Sequence, residues 1–191
     1  MLVSKLAAKP DHRIFELECG WGSFLKYAQE IGLNAAGNAL SHEQVAECRR
    51  LGLREEYGDA ADGLPGPVDR VITIGMMEHA KNRRGQILTH CFRALPPGGR
   101  MVIQEICDGS EPGHLPAVVF VAEEHFPGDQ VGSYVSIQHA ARRAGSHVAH
   151  LECLGRHYRT TLLAWTKRLA DRFDEAEAMV GYRTAMTHLL R

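Results

Sequence analysis

The stretch Arg13-Ile14-Phe15-Glu16-Leu17-Glu18-Cys19-Gly20-Trp21-Gly22 decides the fold. An apolar strand, Arg13 to Glu18, runs into a tight glycine turn, and the turn opens a helix from Ser23 to Ile31. In such a strand–glycine loop–helix unit, backbone N–H groups at the helix start can approach a ligand closely. Loops of this kind have three small positions, and Glu18 occupies the first. A side chain there fills the space of close backbone approach. A carboxylate buried there without a partner costs several kcal/mol or titrates well above its usual range. Two readings follow: the loop relaxes and Glu18 points to solvent, or Glu18 is an acid or base in a repurposed pocket.

Outward from this unit, strands and helices alternate. Residues 2–8 suggest a short helix ended by Pro10, and Leu33 to Asn38 a second strand. Ser41-His42-Glu43-Gln44 matches a capping box, with Ser41 as N-cap and Gln44 three residues on. That helix runs to Leu51, and Gly52 suits the position just past its end. Arg54 to Gly58 reads as a third strand, Asp59 to Pro67 as a loop, Val68 to Gly75 as a buried fourth strand and 79–94 as a helix. Leu95-Pro96-Pro97-Gly98-Gly99 is a turn before a fifth strand, Arg100 to Ile106. This alternation predicts α/β architecture, a doubly wound, mostly parallel sheet with its ligand beyond the carboxyl ends of the strands. The second half is less regular. Asp108 to Pro116 reads as a connection, Ala117 to His125 as an apolar segment, 133–144 as helix, His147 to Leu154 as strand-like and Thr161 to Met179 as one amphipathic helix.

With 191 residues, 45% hydrophobic and 24% charged, the chain reads as a single globular domain over 1–191, with 106–146 as a variable substrate-covering segment. A net charge of −1 gives no reason to expect nucleic-acid binding. Five cysteines without a C-x-x-C pair or metal spacing point to free thiols and no metal site. No signal-peptide core or membrane-length apolar run is visible, so a cytoplasmic location and no membrane span are expected.

Four stretches together resemble the cyclopropane-fatty-acid and mycolic-acid cyclopropane synthase family of S-adenosylmethionine (SAM)-dependent methyltransferases. They are FELECGWG (15–22), VITIGMMEH (71–79), ALPPGGRMVIQEI (94–106), and FPGD (126–129) followed by LGRHYRTTLLAW (154–165). The resemblance implies a Rossmann-like methyltransferase fold and methyl or methylene transfer from SAM to carbon of a lipid or other apolar small molecule. It implies a cofactor site of Glu18, Cys19, Gly20, Trp21 and Gly22 in the loop, Ala39, Leu40 and Gln44 after the second strand, Asp59 and Ala60 after the third, and Gly75 and Met76 after the fourth. The family transfers the methyl to an alkene, and a bicarbonate ion accepts the proton that the resulting carbocation loses. The matching catalytic positions are Glu78, Tyr158 and Gln104, with Glu18 added by its place in the loop. Fixed negative charge beside a developing cation makes physical sense in a dry pocket.

Several positions depart from the family pattern. Glu18 replaces glycine, Ala39 replaces a residue whose hydroxyl would bind ribose, and Gln104 stands where a bicarbonate-binding histidine is expected. Residues 1–12 stand where the family has a helical segment folding over SAM, which makes a homodimer or a partner methyltransferase subunit the expected cover. Plainer readings stand beside the functional ones. Gln44 completes a capping box, Asp59 caps a turn, Cys19 fills the loop, His79 packs or caps, and Trp165 is core. The departures motivate two alternatives: an isomerase, cyclase or lyase of the same fold acting on a secondary-metabolite intermediate without methyl transfer, or a non-catalytic subunit.

Overall fold

The computed structural model describes residues 1–107 and 132–189. The connection Asp108 to Pro116, the apolar segment Ala117 to His125 and the FPGD turn (126–129) lie outside the described residues. The described residues fall into two compact units, 1–107 with 132–148, and 149–189.

The first unit is a five-stranded parallel sheet: β1 (Arg13–Leu17), β2 (Asn34–Ala39), β3 (Glu55–Tyr57), β4 (Arg70–Ile74) and β5 (Arg100–Gln104), in the order β3-β2-β1-β4-β5. The order reverses between β1 and β4, so the loops leaving these two strands diverge and open a crevice between them. Helices α1 (Leu2–Leu6), α2 (Ser23–Glu30), α3 (His42–Arg50), α4 (Arg84–Ala94) and α5 (Tyr134–Arg143) complete the unit. The alternation of side chains along β1 and β4 feeds two cores. Ile14 and Ile72 pack with Phe24, Leu25, Ala28 and Cys48, while Phe15, Leu17 and Val71 pack with Ile87, Leu88, Cys91 and Ala141. Each fully buried aliphatic side chain, such as Leu17 or Ile72, contributes about 1.5–3 kcal/mol.

Two glycines let the layers close. Gly22, at φ 73°, is the N-cap of α2; a Cβ there would lie 2.6 Å from Cys48 Sγ and 2.7 Å from Leu53 Cδ1. Gly37 pairs with Glu16 on one side and Glu55 on the other, and a Cβ there would lie 2.7 Å from the Glu16 carbonyl oxygen and 2.9 Å from Cys19 Sγ. The N-cap role of Ser41 is realised: its Oγ accepts from Gln44 N at 3.3 Å, and Gly52 follows the helix end with φ 73°.

The expected helix over 79–94 is instead a 3-10 turn (Lys81–Arg83) that leads into α4. Residues 147–154, read as strand-like, form no strand. In the second unit the long helix predicted over 161–179 is two helices, α6 (Gly155–Asp171) and α7 (Phe173–Val180), followed by α8 (Tyr182–Leu189). Arg172 leaves helical geometry at φ −129°, ψ 31° and breaks the run. Trp165, expected in the core, is 42% exposed on α6, where it meets Tyr158 edge-on with ring centroids 6.2 Å apart. No described helix is long and apolar enough to cross a membrane.

Candidate cofactor site

Beyond the carboxyl ends of β1, β2 and β4 lies a cavity of about 510 Å³, within the range of small-molecule sites. Its wall brings together the glycine loop (Glu18, Cys19, Gly20), Leu40 and Gln44 after β2, Asp59 and Ala60 after β3, and Gly75 and Met76 after β4. Ile74 and Ile87 add apolar surface, and Glu16, His79 and Arg83 add polar groups that the sequence reading did not single out as binding residues. Trp21 is 61% exposed, and Ala39 is fully buried at the end of β2.

Glu18 is partly buried in the cavity wall, with its carboxylate hydrogen-bonded to the chain leaving two neighbouring strands. Its φ of 52° is left-handed, which costs a side-chain-bearing residue about 1–2 kcal/mol. In that conformation its N–H leaves the β1 ladder and donates to Asn38 Oδ1 at 3.1 Å. The carboxylate reaches across the strand ends, Oε2 accepting from Leu40 N and Oε1 from Ala60 N, both at 3.3 Å. Burial pushes its pKa up; the Ala60 and Leu40 N–H groups offset part of this, nearby Asp59 adds to it and Arg83 opposes it.

Asn38 holds the frame. Besides accepting from Glu18 N, its Nδ2 donates to the Gly58 carbonyl at 2.9 Å, so one buried amide ties the ends of three strands. Its backbone carbonyl accepts from Cys19 N at 2.9 Å and from Cys19 Sγ at 3.1 Å. That thiol is therefore a loop filler. A helix N-terminus would lower its pKa, but burial, followed by the charges of Glu16 and Glu55, pushes it up instead.

Glu16 is 3% exposed, and its Oε2 has no hydrogen-bond partner among the described residues. Burial, with Glu55 beside it, raises its pKa to about 8. At the opposite rim Arg83 Nη1 meets Asp59 Oδ2 at 2.5 Å, and Asp59 Oδ1 caps the turn through Ala61 N at 2.8 Å. Burial works against the Asp59 charge, but the Ala61 N–H and then Arg83 outweigh it and hold its pKa below the ordinary value. The Asp59 cap reading thus holds, and an ion pair is added to it. Gln44 lines the cavity with its amide; a Cβ on Gly20 would lie 3.9 Å from Nε2.

Glu78 and Gln104 adjoin Gly75 of the wall; a Cβ on Gly75 would lie 3.9 Å from Glu78 Oε1. Neither is part of this cavity's described wall. Glu78 is 7% exposed, its Oε1 accepts from Ile106 N at 3.4 Å, and its Oε2 has no partner among the described residues. Half-buried Glu105 is close enough to feel it. Burial first, opposed by Arg84 and reinforced by Glu78, carries the Glu105 pKa to about 7. Arg84 is anchored by donating from Nε to the Met77 carbonyl at 2.7 Å. Gln104 ends β5, where its carbonyl accepts from Gly75 N at 2.9 Å. Tyr158 stands on α6 in the second unit, 38% exposed against Trp165.

The family model described as mycolic acid cyclopropane synthetase matches residues 1–190. Cyclopropane mycolic acid synthase 2 of Mycobacterium leprae is 28% identical over 99% of this chain and 72% of its own length. Among solved structures, a cyclopropane synthase from Mycobacterium tuberculosis superposes with a TM-score of 0.87 at 23% identity, covering 98% of this chain and 73% of the other. A mycolic acid cyclopropane synthase complexed with SAH and CTAB gives a TM-score of 0.85 at 25% identity, with the same coverage. The Rossmann-like fold read from the opening stretch is therefore the family's own, and the chain belongs to the mycolic acid cyclopropane synthetase family of SAM-dependent methyltransferases.

Proposed function

We propose that the cavity beyond β1, β2 and β4 binds SAM and that the chain transfers its methyl group to a carbon of an unsaturated lipid chain. The observation that carries the binding site is the cavity itself, where the chain leaving β1, β2, β3 and β4 brings Gly20, Leu40, Ala60 and Gly75 together beside the start of α2, with buried Glu16 in the wall. Burial and neighbouring Glu55 disfavour the Glu16 charge, and the ammonium group of a ligand in the cavity would give that charge a partner. The residues present fit the cofactor. The start of α2 after Gly22 offers N–H groups and the positive end of the helix to a carboxylate. Leu40, Ala60, Met76 and Ile87 offer apolar surface to a purine base. Bound there, SAM supplies an electrophilic methyl group on a sulfonium.

Glu78 is the residue of the first unit that we assign to the substrate side, on the strength of the family pattern. The buried carboxylate of Glu78, with one oxygen unsatisfied, is suited to stabilise positive charge on a substrate carbon or to accept its proton. Gln104 offers a neutral amide to an anion such as bicarbonate, but half-buried Glu105 beside it weakens an anion there, so proton acceptance falls to Glu78 in this reading. The Mycobacterium leprae relative is named a cyclopropane mycolic acid synthase, which supports a lipid as the substrate class here.

The test is incubation of the full chain with methyl-deuterated SAM and vesicles of mono-unsaturated phospholipid, followed by mass spectrometry of the released acyl chains. Acyl chains carrying deuterium bear the proposal out. Intact, unlabelled acyl chains alongside normal SAM binding would remove the lipid assignment, and conversion of another unsaturated compound without label would favour the cyclase or isomerase reading.

A further inference from the structure

We propose that Glu18 binds the two neighbouring ribose hydroxyls of SAM, supplying from the glycine loop the acceptor that buried Ala39 does not. This rests on the reading that SAM occupies the cavity. The argument begins with where the carboxylate sits. It stands between the chain leaving β2 and the chain leaving β3, held by Leu40 N and Ala60 N, on the cavity wall.

An ionised carboxylate has about four acceptor sites, two on each oxygen. One per oxygen is taken by a backbone N–H, and both bonds, at 3.3 Å, are longer than the usual 2.7–3.2 Å. Each oxygen thus keeps a free acceptor site, and the two are spaced as a carboxylate spaces them. That arrangement matches two O–H donors on adjacent carbons, a vicinal diol, better than it matches a single ammonium.

The other polar side chains nearby are placed less well for a diol. Asn38 spends its amide on Glu18 N and the Gly58 carbonyl. Asp59, whose oxygens likewise keep a second acceptor site each, is held at the opposite rim by Ala61 N and the Arg83 cation. Gln44 stands over Gly20, and the unsatisfied oxygen of Glu16 belongs to a residue on β1 itself. The left-handed backbone at Glu18 fits the same account. Glycine would relieve that conformation at no steric cost, yet only a residue with a side chain delivers a carboxylate to the ends of β2 and β3. Strain of this kind persists where the surrounding structure places a functional group.

The opposite reading is an obstruction, in which the carboxylate occupies the N–H groups that the nucleoside needs. Calorimetric titration separates the two. The wild-type chain, Glu18→Gln and Glu18→Gly are each titrated with SAH and with its 2′-deoxy analogue, after circular dichroism shows that the variants are folded. The proposal expects wild type to lose roughly tenfold in affinity when one hydroxyl is removed, as one hydrogen bond to a charged group is worth. It expects SAH to bind both variants about tenfold or more weakly, and the penalty for the missing hydroxyl to disappear in Glu18→Gly. Tighter binding of SAH to Glu18→Gly, or an equal hydroxyl penalty in wild type and variant, would overturn it. Absence of SAH binding in all three proteins overturns the cofactor reading and this proposal with it.

Discussion

Two glutamates two residues apart, one on β1 and one just past its end, stand in this site, and their surroundings set them different tasks. Glu16 is almost fully buried and titrates near 8; its unfolded value is 4.5. Between those values the folded state holds a proton that the unfolded chain has released. Stability from this group is therefore complete below about pH 4.5 and is lost as pH rises toward 8, at up to ~1.4 kcal/mol per pH unit. Chemical denaturation across this range should show that decline in the wild type and a flatter profile in Glu16→Gln; parallel profiles would remove the assignment. A cationic ligand beside Glu16 would pull its pKa back down, so SAM binding at pH 7 should release a proton, read from calorimetry in buffers of different ionisation enthalpy. Glu18 was legible in the sequence as the anomaly of the loop, because glycine is the expected residue there. Its direction was not legible. It depends on a left-handed φ and on Asn38, which lies on another strand and carries no local signal.

At the scale of elements, Asn38 and Gly22 are where the site joins the fold. Replacing Asn38 by Leu removes the partners of Glu18 N and the Gly58 carbonyl. With two backbone groups left to find new partners, the expected loss is about 2–4 kcal/mol in a denaturant titration, with weakened SAH binding. Wild-type stability in that variant would show that the clamp is incidental. Gly22→Ala faces both a left-handed φ and Cβ overlap with Cys48 and Leu53, and should cost about 2 kcal/mol by moving α2 away from α3. The strands and the helix starting after Ser41 were readable because apolar runs, glycine turns and capping residues are local signals. The break at Arg172 was not, since no Gly or Pro marks it, and neither was the coil at 147–154, whose valine and leucine resemble a strand only in composition.

For the whole molecule, topology locates the site. Sheet order puts the loops leaving β1 and β4 on either side of the reversal, and the cavity opens there. That a ligand site lies beyond the carboxyl ends of the strands was legible from the alternation of strands and helices; the particular positions after each strand came only from the family resemblance. Arg83 was not legible, since its ion pair with Asp59 joins residues 24 apart through the fold. The central claim is that this cavity is a SAM site, and calorimetric titration of the full chain with SAM tests it most directly. The account predicts saturable one-site binding in the micromolar range, with proton release at pH 7 that is absent in Glu16→Gln. No saturable heat at millimolar SAM, from a protein shown to be folded, would contradict it.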